Sequence, residues 1–265
     1  MPNYRGFSKP QFADGQHSVL DWMNWLDSLG ALAPFAPRPL ESCSMCGGPV
    51  GLSYEGDRFA YCAHCRAYTR SIDLLVPAVY SFTNTIESML HRYKDFGDQY
   101  RWLNLPLGSL TSMFVRDHLA CIDNHLGGID VVVKIPSNNR TRGFDHLDLL
   151  LNSVEGGATL NLDDEVLTRD HTVTRPRRGE LKPEAYDVVD EAVAGRTVLV
   201  FDDLWTSGSS AASAAAALKN AGADTVAVMT IGRQLNGANG YENSADLVTE
   251  ARERDWEGSG CVVCS

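Results

Sequence analysis

"VLVFDDLWTSGSSAASAAAALKNAG", Val198 to Gly222, runs from an unbroken apolar segment through two acids and a hydroxyl-rich turn into an alanine-rich helix. A strand apolar at successive positions is buried on both faces, which is the pattern of a parallel sheet covered by helices. Ligands of open parallel sheets bind beyond the carboxyl ends of the strands, where Asp202 to Ser210 fall. Gly208 and its small neighbours let backbone N–H groups approach an anion, and a helix starting near Ser209 adds its positive dipole end. Thr206, Ser207, Ser209 and Ser210 add hydroxyl donors. The segment therefore reads as a phosphate cradle. Asp202 and Asp203 would repel a phosphate unless they serve another part of the same ligand. Ionised carboxylates only accept hydrogen bonds, so they suit vicinal hydroxyls, and the implied ligand is a sugar phosphate. The alternative is structural, with acids ending a strand and Ser209 capping a helix. The Gly-Lys-Ser/Thr of a Walker loop and the Gly-x-Gly-x-x-Gly of a dinucleotide fold are both missing.

Outward from this stretch the chain alternates. "LLVPAVYSF" reads as a strand, "TNTIESMLHRYKDFG" as a helix capped by Thr83 or Asn84, and Leu107 to Leu126 as a longer helix. Strand "IDVVVKIP", helix "FDHLDLLLNSV", a short strand at Val166 to Thr168, strand "TVLVFDD" and strand "DTVAVMTIG" follow. The fold class is α/β with a parallel sheet. An amphipathic helix over Ser18 to Leu29, with Val19, Trp22, Leu26 and Leu29 on one face, precedes the proline-rich "APFAPRPLESC". The expected division is an N-terminal helix and linker over 1–40, a cysteine module over 41–75, the α/β domain over 76–235 and a polar, flexible tail over 236–265.

The loop "PSNNRTRGF" after "IDVVVKIP" places Ser137, Arg140, Arg142 and Gly143 at a second strand end. Arginines there can pair with phosphate oxygens, and as a solvated loop they would serve no ligand. The basic cluster Arg175, Arg177, Arg178 and Lys182 is a candidate flap over an anion, or a solvated loop of the same composition.

Cys43-x2-Cys46 and Cys62-x2-Cys65 have the spacing of a four-thiolate zinc ribbon, with Gly47 and Gly48 at the tight knuckle. Four protein ligands make such a zinc structural. Cys261 and Cys264, in "GSGCVVCS", are assigned to the flexible tail rather than to a second metal or redox site, Cys121 to a small buried position, and His91 to a helix face.

The formal net charge of −11 argues against broad nucleic-acid binding, and only a local basic site is left open. No apolar run reaches the roughly 18–20 residues of a membrane span. With no basic-then-apolar leader at the start, and cysteines spaced for metal, the expected location is cytoplasmic.

The acids, the Thr-Ser-Gly-Ser-Ser loop and the alanine helix together resemble the signature of type I phosphoribosyltransferases. Taken with the cysteine pairs, "RYKDFGD" (Arg92 to Asp98), "RGFDH" (Arg142 to His146) and "DDLWTSGSS", the chain resembles the ComF family of predicted amidophosphoribosyltransferases over roughly residues 43 to 233. The resemblance implies the type I phosphoribosyltransferase fold with a small N-terminal four-cysteine zinc ribbon. It implies that Asp202 and Asp203 face the ribose hydroxyls of phosphoribosyl pyrophosphate, that Thr206 to Ser210 hold its 5-phosphate, and that the second loop takes the pyrophosphate with magnesium. Transfer of ribosyl phosphate to a nitrogen nucleophile is the activity implied. A non-catalytic nucleotide-sensing or competence-linked DNA-uptake accessory protein of the same fold is the alternative. Asp145 and His146 replace the polar amide pair of the family motif, and "RDHTVTRPRRGELKPEAYD" has only loose likeness to the family's segment.

Overall fold

The structure, a computed structural model, describes residues 6–12, 17–35, 41–137, 143–152, 160–238, 241–254, 256 and 261–264. In chain order the elements are α1 (Val19–Ser28), β1 (Ala33–Pro34), α2 (Cys65–Tyr68), β2 (Leu74–Ser81), α3 (Ile86–Asp95), a 3-10 turn (Asp98–Leu103), α4 (Asn104–Leu126), β3 (Val131–Lys134) and α5 (His146–Leu151). Then come β4 (Leu167–Arg169), a 3-10 turn (Pro183–Ala185), β5 (Tyr186–Val188), α6 (Asp190–Val193), β6 (Thr197–Trp205), α7 (Ser209–Asn220), β7 (Thr225–Gln234) and α8 (Ser244–Glu253).

Five strands form one sheet in the order β1-β2-β7-β6-β3. The four longer strands run parallel, and short β1 pairs antiparallel with the outer edge of β2 at Val79 and Tyr80. Pro77, which cannot donate to a ladder, lies where β2 has a neighbour on one side only. The apolar runs of β6 and β7 divide by parity. Val198 and Val200, with Val226 and Val228, face one core that includes the alanines of α7 and the four N-terminal cysteines. Leu199 and Phe201, with Ala227, Met229 and Ile231, face a second core built with α1, α3, α4 and α5. Double-sided burial is why these strands read as continuous hydrophobic segments.

Helix α1 is fixed by a capping box, Ser18 Oγ accepting from Asp21 N and the Asp21 carboxylate accepting from Ser18 N at 2.7 Å. Trp22 and Leu26 are buried as the periodicity requires. The N-cap of α3 is Thr85 rather than Thr83 or Asn84. Its hydroxyl is taken by Phe82 N and O, so Ser81 Oγ accepts from Glu87 N instead.

The strand expected at Val166 to Thr168 forms as β4 but stays out of the parallel sheet. It pairs antiparallel with β5, and the basic segment between them becomes a hairpin excursion lying on α7. Residues 236–265 also differ from a wholly flexible tail, because Ser244–Glu253 is helical with Leu247 and Ala251 buried. Among the described residues no helix is long and apolar enough to cross a membrane.

Candidate functional site

Strand β6 delivers its two acids to different surroundings. Asp203 is buried against the α3 side, ion-paired with Lys94 and 3.7 Å from His146 Nε2. Asp202 is partly exposed and lines a cleft of 850 Å³ together with Thr206, Ser207, Gly208, Ser209 and Ser210. Burial raises the Asp202 carboxyl from 3.8 to about 6, against the opposing charge of Lys94. An adjoining cleft of 640 Å³ shares Arg175, Asp202, Thr206 and Ser210 and adds Ser137, Lys94 and Asp203. The ends of β3 and β6 therefore meet at one place, with Asp202 on the boundary.

The turn into α7 depends on Gly208, which takes a left-handed φ of +75° as N-cap. A Cβ there would stand 2.2 Å from Trp205 Cζ2, so glycine is required both by conformation and by space. No side chain caps the helix, and the first intrahelical bond is Ala212 N to Gly208 O. The N–H groups of the first turn thus open toward the cleft with the positive end of the helix dipole. Ser209 is an exception among the hydroxyls. Its Oγ is buried in a network with Tyr68 OH at 3.2 Å and Ser207 Oγ at 3.1 Å, and it accepts from Gly179 N at 2.8 Å. It fastens α2 and the basic hairpin to the loop, while Thr206, Ser207 and Ser210 line the cleft beside it.

Of the candidate flap residues, Arg175 and Arg178 line the larger cleft. Lys182 is turned to Thr174 Oγ1 at 2.7 Å, and the backbone N–H of Arg177 donates to Glu180 Oε2 at 2.8 Å within its own turn. Gly179 N on Ser209 Oγ and Lys182 N on Ser213 Oγ, both 2.8 Å, pin the hairpin against α7. Ser137 lies in the smaller cleft and Gly143 in an exposed bend outside both. Arg140 and Arg142 lie outside the described residues.

Three sequence motifs converge on Asp203. From "RYKDFGD", Tyr93 OH donates to His146 O at 3.1 Å and packs edge-on against Phe144, while Lys94 pairs with the acid. From "RGFDH", Asp145 caps α5 through Leu147 N at 2.9 Å and pairs with Lys134 at 3.1 Å. The aspartate standing in for an amide thus anchors the helix that carries His146. His91 lines the smaller cleft on the exposed side of α3, 3.7 Å from Asp95.

The four cysteines Cys43, Cys46, Cys62 and Cys65 bring their Sγ atoms within 4.8 Å of one another. Cys46 and Cys62 are 3.9 Å apart, close to the about 3.8 Å that tetrahedral coordination at a Zn–S bond of about 2.3 Å requires. All four are buried, so the donor set fits a closed, structural zinc site. Hydrogen bonds with Cys43, Cys62 and Cys65, aided by the charge of Arg233, hold Cys46 well below the ordinary thiol value.

Arg233, at the end of β7, is a site residue that pattern reading misses. Its buried guanidinium donates to Cys46 O at 2.9 Å, Cys46 Sγ at 3.3 Å, Trp205 O at 3.4 Å and Thr206 O at 3.3 Å, and it lines the larger cleft. An arginine closing an apolar strand was the available signal. Cys121, expected at a small buried position, and Cys261 and Cys264, expected in a loose tail, instead gather with His118 into one cluster.

No protein-family model and no curated protein matches the chain. Among solved structures, one described as the structure of the allosteric regulatory enzyme of purine biosynthesis is similar at 17% identity and a TM-score of 0.31. That likeness covers 49% of this chain and 26% of the other, so the chain spans about a quarter of the length of the structure it matches.

Proposed function

We propose that the chain binds phosphoribosyl pyrophosphate in the joined clefts at the ends of β3 and β6 and transfers its ribosyl phosphate to a nitrogen nucleophile. The observation that carries this reading is the placement of the Asp202 carboxylate in the same cleft as the uncapped first turn of α7. A carboxylate accepts from vicinal ribose hydroxyls, while a helix N-terminus takes the 5-phosphate. The resemblance of "DDLWTSGSS" to the phosphoribosyltransferase signature, and of the flanking motifs to the ComF family, points to the same ligand.

Arg175 and Arg178 supply the positive charge a pyrophosphate leaving group needs. Carboxylates Asp202 and Glu87, both lining the larger cleft, are oxygen donors of the class magnesium takes, and the bound ion would neutralise pyrophosphate oxygens. The reaction breaks the anomeric carbon–pyrophosphate bond and forms a carbon–nitrogen bond, with pyrophosphate leaving and one proton of the attacking amine released to solvent. Positive charge that develops on the sugar is faced by Asp202. Incubation with phosphoribosyl pyrophosphate, magnesium and ammonia or simple amines, with pyrophosphate release as the readout, tests this. Release that depends on the amine supports transfer. Saturable binding without release supports instead a ligand-sensing role for the same cleft.

A further inference from the structure

The cluster that unites α4 with the end of the chain has no part in the cleft. Cys121 Sγ and Cys261 Sγ are 3.4 Å apart, Cys261 Sγ and Cys264 Sγ 3.3 Å, Cys264 Sγ and His118 Nδ1 3.3 Å, and Cys121 Sγ and His118 Nδ1 3.8 Å. All four ligand atoms lie within 4.8 Å of one another, the same bound that encloses the N-terminal cysteines. His118 and Cys121 share one face of α4 at helical i, i+3 spacing, and Cys261-x2-Cys264 forms a knuckle closed by Cys264 N on Cys261 O at 3.3 Å. Cys261 and His118 are buried, and Phe114 packs on the imidazole at 4.8 Å between ring centroids.

We infer that His118 Nδ1, Cys121, Cys261 and Cys264 form a second, structural zinc site that staples the C-terminal segment to α4. Three thiolates and one imidazole are a common closed zinc set, and a two-residue spacer between cysteines is its usual knuckle. The geometry favours a metal over a disulfide for a simple reason. A disulfide joins two sulfurs at about 2.05 Å and leaves a third thiol and an imidazole without a role, whereas here three sulfurs and a nitrogen all lie within 4.8 Å of one another. Binding releases the thiol protons and fixes the neutral imidazole with its remaining proton on Nε2. The ligands come from positions about 140 residues apart, so the ion would hold Val262 and Val263 on the α4 core.

Zinc per chain, measured by elemental analysis on the full-length protein purified with reductant, decides the matter. Cys264→Ser alters an exposed position and leaves packing intact, and it should lose about one zinc per chain relative to wild type. Cys264→His, which keeps a ligand, should retain it. Cobalt-loaded wild type minus cobalt-loaded Cys264→Ser should show a tetrahedral thiolate spectrum, and limited proteolysis should cut the C-terminal segment of the serine variant first. Equal zinc content in wild type and Cys264→Ser would overturn the assignment. So would an intact mass showing an oxidised Cys261–Cys264 or Cys121–Cys261 pair in protein that holds no metal there.

Discussion

Arg233 donates from Nε to the carbonyl of Cys46 at 2.9 Å and, through Nη1, to the carbonyl of Thr206 at 3.3 Å, so one side chain ties the cysteine cluster to the loop before α7. Gly48 makes room for it, since a Cβ at that position would stand 2.2 Å from Nη2. The small cysteine module is a wall of the cleft, which Pro49, Cys62 and His64 line. Four cysteines, α7 and the inner face of β6 share one hydrophobic core.

Arg233→Met should destabilise the protein by about 3–5 kcal/mol, since it leaves buried carbonyls without their donor and removes a charge beside Cys46. Denaturant unfolding gives that figure. The more specific expectation is a joint loss: zinc should leave faster to a chelator, and the cleft should bind its ligand more weakly. Loss of stability with unchanged zinc release would separate the two sites.

Gly208→Ala is expected to cost about 1–3 kcal/mol from the left-handed backbone alone, with added strain from Trp205. Affinity for phosphoribosyl pyrophosphate should fall at least tenfold, because the first turn of α7 can no longer keep its geometry. Ser210→Ala, at the same cleft but without backbone consequence, should lose only a few-fold.

Asp202 links the cleft to pH. Its folded-state carboxyl titrates near 6 against an ordinary 3.8, burial being the main cause, so the folded protein holds that proton more tightly than the unfolded chain. Ionisation thus costs the fold, a cost absent below about pH 4 and complete above about pH 6. Asp202→Asn should be more stable than wild type at pH 7 by about 1–3 kcal/mol, with the gain vanishing toward pH 4. Urea unfolding of both proteins across that range checks the sign. Ligand affinity of the wild type should run the other way, rising from pH 5 to pH 7 as the carboxylate ionises.

Lys94→Met should leave Asp203 buried without its cation and cost about 3 kcal/mol. In a double-mutant cycle with Asp203→Asn the two losses should fall well short of additive. Additive losses would mean that the pair does not act as a unit.

The elements that were legible in the sequence are those whose burial leaves a local mark. Strand β6 and helix α7 are covered on both sides, so Val198 to Phe201 and the alanine run carry their own signal. The pair spacing of Cys43 to Cys65 is equally local. What escaped depends on partners far along the chain. Cys121 and Cys261 are 140 residues apart, and nothing in either neighbourhood names the other. Ser209 lies in the expected cradle, but its hydroxyl also meets Tyr68 and Gly179, partners that its own neighbourhood does not name. β4 has the composition of a sheet strand, yet only its antiparallel partner β5 shows that it belongs to a separate hairpin. Arg169 holds that hairpin by donating to the carbonyl of Val173 at 2.7 Å, which a basic loop of this composition does not announce.

The most direct measurement is a calorimetric titration of phosphoribosyl pyrophosphate, with and without magnesium, into the zinc-loaded chain and its Asp202→Asn, Asp203→Asn variant. Saturable, magnesium-dependent binding to the wild type, lost in the variant, is the predicted result. Absence of heat from a folded wild type, or equal binding by the variant, would contradict the assignment of the cleft.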